Sequence, residues 1–251
     1  MALAILVILY YPTIFFYTFD LYRDIVIYTF CLFSFYFSKK FFEVGSKFKL
    51  FWLVLFFCSS SIAFSLREYI GFSFVLAFFL YYLFSSILVY QKTMLFFYLL
   101  GLLIFNQIGF LDPILLYRGV DGFSEGGATL GIGLYGLDPF SFLYKYIFSF
   151  IFQMFGLYLV GFPALLAFFL ESVPFIFCFV YVVVNVSYHT KFSKYLLCFF
   201  VVYSTVWVLG NDNLGTAVRL RVPSYFAIMA CAFIIFQVKQ RYSLTKLNLG
   251  S

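Results

Sequence analysis

Charge is scarce in this sequence: Asp, Glu, Lys and Arg together make up 10% of 251 residues, where soluble domains carry roughly a quarter. A chain so poor in charge cannot present a solvated surface all round. With 65% hydrophobic residues and a mean hydropathy of +1.05 it reads as an integral membrane protein. Histidine is reduced to His189, which the charge count below puts at a membrane interface. The five cysteines (Cys31, Cys58, Cys178, Cys198 and Cys231) lie inside apolar runs with no CxxC spacing. That excludes a zinc site or a disulfide framework, so the thiols are expected to be inert and no metal is implied. The opening MALAILVILYYPTIFFYTFD lacks the basic start and small-residue cleavage site of a removable signal, and is expected to stay as a first span. No cofactor signature is present: GIGLYG, with Gly131, Gly133 and Gly136, follows no strand and has no βαβ context. Nothing implies a nucleic-acid partner.

What is abundant is apolar and aromatic. Phe, Tyr and Trp make up 26% of the chain, with 42 Phe and 22 Tyr, enough to serve as lipid-facing bulk, helix packing and interfacial belts together. A span needs about 20 apolar residues, fewer if flanking groups snorkel. Spans are expected near residues 2–19, 25–38, 50–66, 69–90, 93–111, 172–188, 195–209 and 225–238. The chain is therefore expected to be an all-α, polytopic transmembrane helical bundle of about eight spans, forming one integral membrane domain over residues 1–251. Residues 1–111 would hold five spans, 112–171 an outer-face loop and an interfacial element, and 172–251 three spans and a short tail.

The stretch 141–171, broken by Lys145, Gly156, Gly161 and Pro163, decides the topology, because one crossing there would exchange the sides of every later loop. Charge argues against a crossing. Kept on one side, it leaves ten basic residues (Lys39, Lys40, Lys47, Lys49, Lys92, Lys191, Lys194, Lys239, Arg241 and Lys246) with a single acid, Glu43, on the side of the termini. The opposite side holds six basic residues against nine acidic ones. The positive-inside rule then puts both termini in the cytoplasm and makes 141–171 an interfacial or re-entrant element against the outer face. Nine of the ten inner cations are Lys, whereas five of the six outer ones are Arg, the residue suited to bidentate contact with phosphate or carboxylate. An outward anion site is the expectation.

Two outer segments carry candidate site residues. The long polar run 112–140 contains Arg118 and, four apart among glycines, Asp121 and Glu125, carboxylates suited to sugar hydroxyls or to accepting a proton. The stretch NDNLGTAVRLRVPSYF, residues 211–226, sets Arg219 and Arg221 just before Pro223, which suits the first turn of a span. Read as an extended loop, the two arginines would point to one side and share one anion beside the start of that helix. Asn211, Asn213 and Thr216 add neutral hydrogen-bonding groups suited to sugar, and Arg67, in a tight turn beside Glu68, is a further candidate cation.

LGNDNLGTAVRLRVPSYF resembles the GTA-R-x-R signature near the C-terminus of polytopic proteins from bacterial O-antigen and capsule gene clusters, the Wzy-type repeat-unit polymerases and their relatives. Asp138, Pro139 and Phe140 are similar to the family's "PF" start of an outer-face region, and Glu171 to its acid opening a later span. The resemblance covers about residues 112–238. It departs from the family at Leu220, where a histidine often stands, and at Phe162 and Pro163, a reduced form of the usual proline-aromatic pair. What it implies is a glycosyltransferase-type polymerase in the bacterial cytoplasmic membrane. Its substrate would be undecaprenyl-diphosphate-linked oligosaccharide, with other polysaccharide-assembly membrane proteins as candidate partners. Arg219 and Arg221, with Arg118 or Arg67, would steady the diphosphate, Asn213 and Thr216 would meet the sugar, and Asp121 or Glu125 would take the acceptor proton. Two other readings stay open: a transporter or flippase for a lipid-linked or anionic substrate, and a non-catalytic subunit of a membrane assembly.

Overall fold

The computed structural model describes residues 22–43, 48–84, 91–120, 129–157 and 162–249. Among these the regular secondary structure is helical apart from one isolated antiparallel bridge, Thr129 to Asn213. The elements run α1 (Tyr22–Phe42), α2 (Lys49–Leu66), α3 (Glu68–Phe84), α4 (Gln91–Gln107), α5 (Asp112–Val120) and α6 (Pro139–Phe155). After these come α7 (Phe162–Ala167), a π turn (Phe168–Ser172), α8 (Val173–Val184), α9 (Lys191–Gly210), α10 (Leu214–Leu220) and α11 (Val222–Leu249).

Among the described residues, five helices are long and apolar enough to cross a membrane: Asp24–Phe42, Lys49–Leu66, Ala164–Val184, Lys191–Gly210 and Val222–Thr245. The pair α4 and α5, bent by 82° at the intervening turn, would make a sixth, and Glu68–Phe84 is a shorter apolar helix. Of the eight expected spans, 25–38, 50–66, 172–188, 195–209 and 225–238 fall on helical segments and 93–111 does so up to residue 107, while 69–90 is described only to residue 84 and 2–19 lies outside the described residues. The fold is an all-α membrane bundle.

Its mast is α9. In the span windows 72% of α9 is buried, against 22% of Lys49–Leu66, because α1, α3, α5, α6 and α11 all pack around it. Aromatic rings supply much of that packing: Phe74 stacks on Phe199 at 4.4 Å and Phe199 on Tyr203 at 5.3 Å, offset geometries that add to the area buried. Small residues let the N-terminal helices close up. Ser34 and Ser59 join α1 to α2 through their hydroxyls at 2.8 Å, and a Cβ at Gly71 would overlap Phe64 and the Ser60 carbonyl. The outward faces, with Phe51, Phe79 and Phe96 exposed, are apolar and suit lipid.

Two boundaries differ from the sequence expectation. Residues 112–120 are helix, not loop: the chain turns at Gly109, in the left-handed region at φ +75°, and α5 packs against α9. Residues 162–171 belong to the helical rod that continues through α8, not to the interfacial element, so Glu171 lies within the span Ala164–Val184 instead of opening one. Pro174 lies inside that rod. Proline favours the first turn of a helix, yet here the turn before it closes as π-helix.

Helix α6 remains as the local element. Asp138 caps it, accepting from the Ser141 N–H at 3.1 Å with Pro139 in the first turn, and these hydrogen bonds hold the Asp138 carboxyl below its usual range. The Tyr98 hydroxyl meets those of both Tyr146 and Thr205 at 2.6 Å, and Gln153 bonds the Asn211 carbonyl at 2.9 Å. As α6 advances from 146 to 153, α9 and its end advance from 205 to 211, so the two run in the same direction. The chain leaves the end of the bundle where Ile132 meets Arg118 and returns to it along α6, a re-entrant path.

Every long-range ion pair among the described residues joins groups assigned by charge to the same side: Arg67 and Arg219 with Asp24, Arg118 with Asp212, Arg221 with Glu171. At the other end Lys40 pairs with Glu43, and Lys239 with the Asn185 side chain. The partition predicts that a reporter fused after Ser251, or inserted in residues 40–48, is active in the cytoplasm. Activity of the Ser251 fusion only on the far side would overturn this topology.

Candidate anion site at one end of the bundle

The segment holding Arg219 and Arg221 is helical. Asn213, in extended backbone, caps α10 by accepting the Thr216 N–H at 3.1 Å, and α10 runs directly to the start of α11. This corrects the extended-loop expectation. On a helix, residues two apart point about 200° apart, so Arg219 and Arg221 diverge, the first toward Asp24 and the second toward Glu171.

Arg221 goes inward. Its side chain is 2% exposed, its Nη2 donates to Glu171 Oε2 at 3.0 Å, and its guanidinium lies 5.3 Å from the Tyr225 ring centre. The π turn on the facing rod carries Glu171 into the bundle, where it is fully buried; single π turns are a common way to re-aim one side chain. The guanidinium passes over Gly156, which ends α6 in the left-handed region at φ +62°; a Cβ there would overlap Arg221 Nη1. Tyr225 completes the cluster, donating to the Met154 carbonyl at 2.6 Å. Arg221 is the clasp between α6, the π turn and α11.

Arg118 is also a clasp. It donates through Nε to the Ile132 carbonyl at 3.0 Å and through Nη1 to the Val208 carbonyl at 2.7 Å. Its Nη2 donates to Ser149 Oγ at 3.1 Å and pairs with Asp212. With four of its five donors engaged and the residue 7% exposed, it ties the 129–138 loop, α6 and α9 to α5.

Arg219 and Arg67 are different. Arg67 stands in the turn between α2 and α3, 20% exposed, donating to Asp24 Oδ1 at 2.7 Å and to the Tyr69 hydroxyl at 3.0 Å. Arg219, 30% exposed, faces Asp24 Oδ2 at 4.0 Å. Tyr28, one turn along α1 from Asp24, donates to the Arg219 carbonyl at 3.1 Å and fixes the two segments together. Two guanidinium groups from opposite halves of the chain thus flank one buried carboxylate and reach the surface. Arg67 and Arg219 each offer a planar guanidinium, a group suited to an anionic oxygen.

Of the other expected site residues, Asn213 is committed to capping α10, and Thr216 lies half-buried one turn before Arg219. Asn211 is held by Gln153 Oε1 at 2.6 Å. Asp121 and Glu125 lie outside the described residues. Asp24 was missed as a partner of this site, because Arg67 is 43 positions away. His189 sits at the opposite end, its Nε2 3.1 Å from the Val182 carbonyl, with burial favouring the neutral ring.

Fold and charge placement define a class, a multi-pass all-α membrane protein with an arginine-rich end. No family model, no curated protein and no solved structure matches the chain.

Proposed function

We propose that this protein assembles bacterial surface polysaccharide, joining undecaprenyl-diphosphate-linked repeat units on the outer side of the cytoplasmic membrane. The observation that carries the reading is the Arg67–Asp24–Arg219 cluster: two partly exposed arginines converge at the end of the bundle that carries the GTA-R-x-R-like segment. In the reaction an acceptor hydroxyl attacks the donor sugar, the bond from that sugar to the diphosphate breaks, and the lipid diphosphate leaves with its extra negative charge. Arg67 and Arg219 would meet that charge as it develops, which is where a fixed cation contributes most. Arg118 and Arg221 would act at one remove, by holding the helices that present the site.

A second reading, transport of a lipid-linked or anionic substrate, is favoured by the buried Glu171, within the span Ala164–Val184 and paired with Arg221 just before the last span, since ionisable residues inside a membrane often mark a transport path. Gene deletion separates the two. Loss of a polymerase leaves single repeat units exported and displayed; loss of a transporter leaves them lipid-linked on the cytoplasmic side. The expected result is a surface glycan collapsed to one repeat unit, read on a gel. Glycan of normal length from the deletion strain would end both readings.

A further inference from the structure

Among the described residues, α4 and α6 on one side and α8 on the other leave part of α9 at the floor of a cleft of about 540 Å³, within the roughly 300–1,000 Å³ range of ligand sites. Its floor is Leu197, Phe200, Val201 and Ser204, and Tyr98 and Val182 stand on facing walls. The polar groups along the walls are turned to one another. The Tyr98 hydroxyl bonds those of Tyr146 and Thr205, Ser204 donates to the Phe200 carbonyl, and His189 Nε2 meets the Val182 carbonyl. Away from Lys194 such walls offer few hydrogen bonds to a sugar or other polar solute and suit a hydrocarbon chain. The cleft opens sideways, past Leu95 (56% exposed) and Val183 (38% exposed), toward the face where lipid would lie.

One end of the cleft is basic. Lys194 lines it, Lys191 stands on the same turn of α9, and Lys239 is held by Asn185, the residue before Val186 of the lining. No acid lies within that lining. We propose that the cleft is a binding site for one anionic glycerophospholipid, an acyl chain lying along α9 and the phosphate at Lys194. This site lies at the opposite end of the bundle from the Arg67–Arg219 cluster and stands or falls without it.

The test uses the whole protein, purified in nonionic detergent and reconstituted into nanodiscs of phosphatidylcholine alone or mixed with phosphatidylglycerol. Phosphatidylglycerol should raise the unfolding temperature and stay bound one-to-one in native mass spectra. Val201→Phe, which fills the floor, should abolish the retained lipid, and Val183→Phe does the same from a wall if the first variant inserts poorly. Lys194→Gln should keep a lipid but lose roughly five- to tenfold of the preference for phosphatidylglycerol. Equal retention by the filled variants, equal affinity for the two lipids in the wild type, or a polyisoprenoid phosphate as the retained species would each overturn the proposal.

Discussion

Arg221→Met, made alone, is expected to cost about 3–5 kcal/mol, a large part of the roughly 5–15 kcal/mol that holds a domain folded. The substitution leaves Glu171 fully buried without the guanidinium 3.0 Å away. Glu171→Leu leaves the mirror problem, an arginine in a 2%-exposed site facing hydrocarbon. Combining them removes both charges and fills the space with apolar side chains, so Arg221→Met with Glu171→Leu should recover most of the loss, because replacing a buried pair by apolar residues is often neutral. The measurement is the unfolding temperature of detergent-purified protein for the two single variants and the double. If Arg221→Met alone unfolds with the wild type, the pair carries no structural weight. A consequence follows for function: loss of glycan in an Arg221 variant reports a collapsed clasp between α6, the π turn and α11 before it reports a lost phosphate contact.

The helices could be read in advance because a membrane chain must satisfy its backbone within each segment, so long apolar runs have one outcome. The cap at Asp138-Pro139 is equally local, yet those residues were noted only as similar to a family's "PF" start. What failed was the geometry of Arg219 and Arg221. Pro223 marked a helix start and suggested a loop before it, while Asn213, a preferred capping residue three positions before Thr216, was assigned to sugar instead of to the cap it forms. Partners failed for a different reason. Asp24 meets arginines 43 and 195 positions away, and Glu171 meets one 50 away; such choices are made by helix packing, which no spacing rule encodes. Each of these pairs does join residues that the charge partition placed in one group.

Arg219→Lys and Arg67→Lys should shorten the surface glycan sharply while the protein remains inserted at wild-type level. Both positions are partly exposed, at 30% and 20%, so a lysine can keep its charge in water and the fold loses little. What lysine cannot keep is the planar fork that contacts two oxygens of one phosphate. Loss of a charge-assisted contact of about 1.5–3 kcal/mol slows polymerisation by roughly one to two powers of ten. Because the two arginines flank the same carboxylate, the double variant should lose less than the product of the single losses. Glycan chain length and in vitro extension of lipid-linked repeat units, with membrane protein quantified alongside, read the effect. If both lysine variants extend glycan at the wild-type rate, Arg67 and Arg219 are interfacial anchors held by Asp24, and the anion site at this end of the bundle does not exist.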